Sequence, residues 1–172
     1  MKKLPKNLPP RFPKPKKEES EFGMGKKDIL ICKECNAVYY YKSWHHRLDD
    51  YSYLKETKRL NFTLCPACQM IRNKKFEGEI IVENVSPKIK TNLKNLVKNF
   101  GEKAFERDPQ DRVISFNEIS QNEDGSSTIQ ILTTENQLAQ RLAKKISEVF
   151  KGKYSISHSR EESVIRAKVV LD

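Results

Sequence analysis

Apolar positions fall into two regimes along the chain, and the regular one begins near Glu79. "EIIVENV" (79–85) alternates as a strand does, and Ser86-Pro87 then opens a helix. Ile89, Leu93, Leu96, Val97, Phe100 and Phe105 recur there at helical spacing until Asp108-Pro109 stops the pattern. "VISFNEI" (113–119) and "STIQILT" (127–133) alternate around the turn residues Asn122-Glu123-Asp124-Gly125, which predicts a hairpin. A second helix is predicted from Thr134, where Thr134 and Gln137 have capping-box spacing, to about Phe150, with Leu138, Leu142, Ile146 and Val149 on one face. "YSISHS" (154–159) and "SVIRAKVVL" (163–171) read as closing strands. The order β-α-β-β-α-β-β predicts an α+β class. Residues 79–172 are expected to form a ferredoxin-like split β-α-β domain, with two helices on one face of an antiparallel sheet and an extra strand at its edge.

Before Glu79 the periodicity is lost. Residues 28–78 hold few aliphatic residues, and a segment of about fifty residues this polar cannot be held by burial alone. Two cysteine pairs stand near its ends, Cys32/Cys35 and Cys65/Cys68. Further upstream, five of the eight prolines lie within the first fifteen residues among lysines, so residues 1–27 read as a disordered basic arm.

Charge sharpens this division. Of the formal net charge of +10, residues 1–27 carry +6, residues 28–78 carry +3 and residues 79–172 carry +1. Basicity concentrated in the first half fits a polyanionic partner, nucleic acid above all; a solubilising tail is the simpler alternative. The first 27 residues lack the apolar stretch of a signal peptide, and no apolar run approaches the ~20 residues of a membrane span. The expectation is a cytoplasmic protein without membrane association, in which four cysteines serve as metal ligands or catalytic groups rather than disulfides.

Each pair has the form Cys-x-x-Cys, and 29 residues separate them. Two intervening residues let a tight turn aim both sulfurs at one point, and two such turns complete a tetrahedral Zn²⁺ site. Cys32, Cys35, Cys65 and Cys68 are therefore the expected ligands of one structural zinc ion, since four thiolates leave no position for a reactive water. A redox pair fits less well, because it needs one Cys-x-x-Cys opening a helix, not two pairs. A His-Asn-His metal-dependent nuclease could take its first histidine from His46 and its asparagine from Asn61. Gln69 stands where such a motif expects the second histidine, so the catalytic metal would lack a ligand.

The aromatic run Tyr39-Tyr40-Tyr41 with Trp44 admits two uses. Alternation would send Tyr39 and Tyr41 to one face and Tyr40 to the other, and some of these rings should pack on the cysteine turns. The rest, interleaved with cations, suit looped or single-stranded RNA. Tyr40, Trp44, Arg47, Lys58 and Arg59 are the expected RNA contacts, with His45 and His46 at the surface. No phosphate-cradling glycine loop or nucleophile elbow appears, which leaves no small-molecule substrate to expect. Asp108, Asp111, Glu123 and Asp124 read as turn residues, and His158 as a lone strand histidine.

"CKECNAVYYYKSWH" followed by "CPACQMIRNKKFEGEIIVENV" resembles a group of small uncharacterised bacterial zinc-ribbon proteins. It is also similar to the archaeal and eukaryotic family of large-ribosomal-subunit export adaptors named after nonsense-mediated decay. "CPAC…KFEGEIIV" (65–82) and "DGSSTIQILTTENQLAQRLAKKISEVF" (124–150) occupy that family's junction and α/β positions, so the likeness spans roughly residues 30–171. It implies a non-enzymatic zinc-ribbon adaptor bound to ribosomal RNA and proteins of the large subunit, in assembly or quality control. The full-length adaptors carry further cysteine pairs and a β-barrel, so export is not implied. A zinc-stapled protein-interaction module without nucleic acid is the third reading.

Overall fold

A computed structural model describes residues 29–49, 60–158 and 164–172. The predicted basic arm and the segment containing Lys58 and Arg59 lie outside these residues. Among the described residues no helix is long and apolar enough to cross a membrane.

The cysteine-bearing module is a four-stranded sheet built from β1 (Ile29–Cys32), β2 (Val38–Tyr40), β3 (Ser43–His45) and β4 (Leu60–Thr63), in the order β3-β2-β1-β4. β1 runs antiparallel to β2 and parallel to β4. Residues paired across strands share a face, so the sheet has two dissimilar sides. One side carries Cys32 and Trp44 against Ala37, Ala67 and the other cysteines. The other gathers Ile29, Val38 and Tyr40, joined by Ile31, Tyr41 and Leu48. A short helix, α1 (Pro66–Arg72), follows β4, with Pro66 at its first position where the missing N–H costs nothing.

The α/β domain comprises β5 (Gly78–Val85), α2 (Pro87–Arg107), β6 (Val113–Gln121), β7 (Ser127–Thr133), α3 (Asn136–Phe150), β8 (Lys153–His158) and β9 (Ile165–Val170). Alternate residues of β5, β7 and β9 are buried, and Ile80, Val82, Ile129, Ile131, Ala167 and Val169 meet Leu93 and Val97 of α2 and Leu142 and Ile146 of α3. Both helices thus cover one face of the sheet, as the pattern predicts. On the opposite face Glu79 pairs with Arg166 and Glu83 with Lys168, which keeps that side polar.

Two expectations are corrected. The sheet is mixed rather than antiparallel: the order is β6-β7-β5-β9-β8, with β9 parallel to β5 and β8 as the additional strand at the edge. Burial explains the order, because β9 buries Ile165, Ala167 and Val169, whereas polar β8 is suited to an exposed edge. The capping box at α3 is also absent. Glu135 is the N-cap residue, and the Thr134 hydroxyl instead donates to the Gln110 carbonyl oxygen at 2.6 Å, tying α3 to the α2–β6 turn.

Candidate metal centre

The first cysteine turn begins where β1 ends. Ala37 O accepts from Cys32 N–H at 2.8 Å, and Cys32 O accepts from Asn36 N–H at 3.1 Å, closing a loop that carries Cys35 back over Cys32. Asn36 takes φ 60°, a left-handed conformation that Asn tolerates better than most residues with a side chain. The second turn arrives through the parallel pairing of β4 with β1, which sets Thr63 beside Cys32. Two residues later Cys65 is the N-cap of α1, and its sulfur accepts from Cys68 N–H at 3.4 Å.

The two turns interlock. Cys65 N–H donates to Cys32 Sγ at 3.3 Å, Cys35 Sγ lies 3.7 Å from Cys65 Sγ, and all four sulfurs fall within 4.8 Å of one another. A tetrahedron of sulfurs about 2.3 Å from a central ion has edges of about 3.8 Å, so the cluster has the size and donor set of a metal site. Cys32, Cys65 and Cys68 are buried and Cys35 is half-buried. The second pair does open a helix, as a redox pair would, but its sulfurs share their space with the first pair.

The thiols are not equivalent. Burial opposes ionisation of Cys32, yet the backbone N–H groups of Cys35, Cys65 and Glu34 outweigh it and lower its pKa to about 6. Burial raises Cys65, against the help of the Cys68 N–H. Burial also raises Cys68, reinforced by the sulfurs of Cys65, Cys35 and Cys32. Without a cation, such a cluster retains protons. With one, all four thiolates become compatible.

The expected RNA contacts scatter. Tyr40 is 4% exposed, stacks on His45 with ring centroids 3.9 Å apart, and donates its hydroxyl hydrogen to Arg47 O at 3.0 Å. It is a core residue rather than a base platform. Trp44 is half-buried, packed on the cysteine cluster and tilted against Tyr39. Arg47 reaches solvent, with a loose contact of 3.8 Å to Asp49. Lys58 and Arg59 lie outside the described residues. Tyr41 also departs from expectation: it joins Tyr40's side rather than Tyr39's, because Tyr41 and Lys42 (φ 46° and 63°) form the tight turn between β2 and β3, where alternation ends.

His45 is spent locally, its Nε2 lying 2.8 Å from Ser43 Oγ and 3.2 Å from Tyr40 O. His46 reaches the other domain, where its Nε2 bonds to Phe105 O and its ring meets the Phe105 ring edge-on. His46 follows the edge strand β3, whereas Asn61 sits on the opposite edge strand β4. Three strand spacings, about 14 Å, separate these edges.

Sequence reasoning missed two further residues, Leu60 and Phe62. They share the face of Ile29 and Ile31, and on edge strand β4 they are 56% and 62% exposed. Their i, i+2 spacing beside the second cysteine pair was the available signal. No family model, curated protein or solved structure matches the chain.

Proposed function

We propose that the chain is a non-enzymatic zinc-ribbon adaptor that binds RNA on the large ribosomal subunit, in assembly or quality control. The observation carrying this reading is a closed four-cysteine cluster within a basic module: it offers four thiolates and no open ligand position, a donor set that suits a structural Zn²⁺. Zinc would be held by Cys32, Cys35, Cys65 and Cys68, and would supply folding energy rather than chemistry. Arg47 and the N-terminal lysines would contact phosphates, while Phe62 replaces Tyr40 as the ring available for stacking. The net charge of +10 supports the choice of a polyanion.

The test is co-sedimentation with ribosomes and isolated subunits over a salt series, beside the Cys32→Ser/Cys65→Ser double variant. The native chain is expected in the large-subunit fraction at low salt, with steep loss as salt rises, and the variant in the free fraction. Recovery of the native chain only in the free fraction at every salt would sink the proposal. Leu60 and Phe62 on an exposed edge strand favour one competing reading, a module that takes up an apolar peptide strand. Salt-insensitive capture of a protein partner would support it.

A further inference from the structure

Among the described residues, polar contacts from Ala67 and from His46 join the cysteine-bearing module to the α/β domain at a seam, and the first of these enters the cysteine turn itself. Ala67, between Cys65 and Cys68, is 2% exposed. Its N–H belongs to the first turn of α1, where no carbonyl of the helix can serve it. Cys65 Sγ already serves Cys68 N–H. The acceptor for Ala67 comes from the other domain: Gln110 Oε1 in the α2–β6 turn, at 3.1 Å.

Gln110 is fixed from behind. Its N–H donates to Asp108 Oδ1 at 2.8 Å, and its carbonyl oxygen accepts from the Thr134 hydroxyl at 2.6 Å. Its Nε2 is buried without a hydrogen-bond partner, so the amide holds its orientation toward Ala67 at the expense of its own donor. The second contact runs nearby: His46 on Phe105, with the Arg112 guanidinium carbon 4.0 Å from the centroid of the same ring.

We infer that Gln110 is an outer positioning residue of the metal centre, linking metal binding to the docking of the two domains. The inference rests on reading the four cysteines as a metal site. The Cys65–Cys68 turn presents Ala67 N–H to Gln110 while bringing both of its sulfurs into the four-cysteine cluster. A group that fixes a ligand turn raises metal affinity, and by reciprocity metal binding strengthens the interdomain contact by the same factor.

The experiment is zinc competition against a chromophoric chelator on the full chain, with hydrogen exchange followed at residues 107–113. Gln110→Leu, which removes the acceptor, is expected to weaken zinc binding roughly 10–100-fold. Gln110→Glu, which keeps an acceptor oxygen, is expected to stay within a few-fold of the native chain. Removing zinc from the native chain should speed exchange across 107–113, and in Gln110→Leu that difference should vanish. Unchanged affinity in Gln110→Leu would overturn the inference, as would loss of exchange protection in β5 and β7 of that variant, which would assign Gln110 to folding its own domain. Failure of the native chain to take up zinc would instead sink the metal reading.

Discussion

Cys68 and Cys32 illustrate how differently one fold can treat the same side chain. Burial and neighbouring sulfurs hold Cys68 protonated, whereas three backbone N–H groups bring Cys32 down to about 6. In the metal-free protein near neutral pH, Cys65 and Cys68 are therefore thiols and Cys32 is largely thiolate. A metal ion must displace the protons of the first two, so binding releases protons and strengthens as pH rises. Zinc added to weakly buffered protein with a pH indicator should acidify the solution, and affinity should climb about tenfold per pH unit for each proton released. The Cys32 proton joins the count only as pH falls through about 6, so the dependence should steepen there. Affinity that is flat across this range would contradict the assignment. The four-cysteine cluster was legible in the sequence because each pair closes on itself within four residues, whereas the fate of Tyr40 was not. Whether a ring in a run of three tyrosines faces core or solvent depends on where the chain turns, and the turn at Tyr41-Lys42 lacks the Asn-Gly sequence that marks such turns.

At the scale of elements, Gly78 shows why the chain changes character where it does. A Cβ there would lie 2.3 Å from Thr133 Oγ1 and 2.4 Å from Ala139 Cβ, because β7 and the first turn of α3 close directly over the start of β5. Ala139 Cβ cannot move without shifting its backbone, and turning Thr133 Oγ1 aside would break its bond to Glu135 O. Gly78→Ala is therefore expected to destabilise the α/β domain by about 1–3 kcal/mol, read as a lower denaturation midpoint with unchanged slope. A neutral or stabilising result would mean that α3 packs less tightly on β5 than described. The elements of this domain were legible because each strand spans several alternations and each helix several turns. Their sheet order was less so: β9 outranks β8 for the interior through the apolar alternation of Ile165, Ala167 and Val169, a comparison between strands rather than within one. The strands β1 to β4, three or four residues each, are too short for any period, and the β1–β4 pairing joins segments some thirty residues apart. Only the cysteines advertise that pairing.

The whole molecule combines two modes of stabilisation. The α/β domain has a continuous core of fully buried aliphatic residues, from Ile80 and Val82 through Leu142 and Ile146 to Val169, and this core contains no cysteine. Among the described residues, the cysteine side of the smaller module fully buries Ala37 and Ala67 besides Cys32, Cys65 and Cys68, with Trp44 and Leu64 partly buried against them. Without an ion, the raised thiols and the scant apolar area leave little to offset the chain entropy of ordering both turns. Metal removal should therefore be selective. With a strong chelator, thermal unfolding followed by far-ultraviolet circular dichroism should retain the transition of the α/β helices, with a modest fall in midpoint reflecting the lost seam contact at Gln110. Hydrogen exchange should at the same time show loss of protection in β1, β2 and β4. Readdition of zinc should restore protection there and return the midpoint. A single cooperative transition that collapses entirely on chelation would mean that the seam, rather than each core, governs folding. Complete indifference to chelator would mean that the apolar cluster of Ile29, Val38 and Tyr40 on the opposite face of the small sheet holds the module unaided. The placement of these residues on the face away from the cysteines makes the selective outcome the expected one: that cluster can keep β1 and β2 associated, but among the described residues it includes none of the Cys65–Cys68 turn.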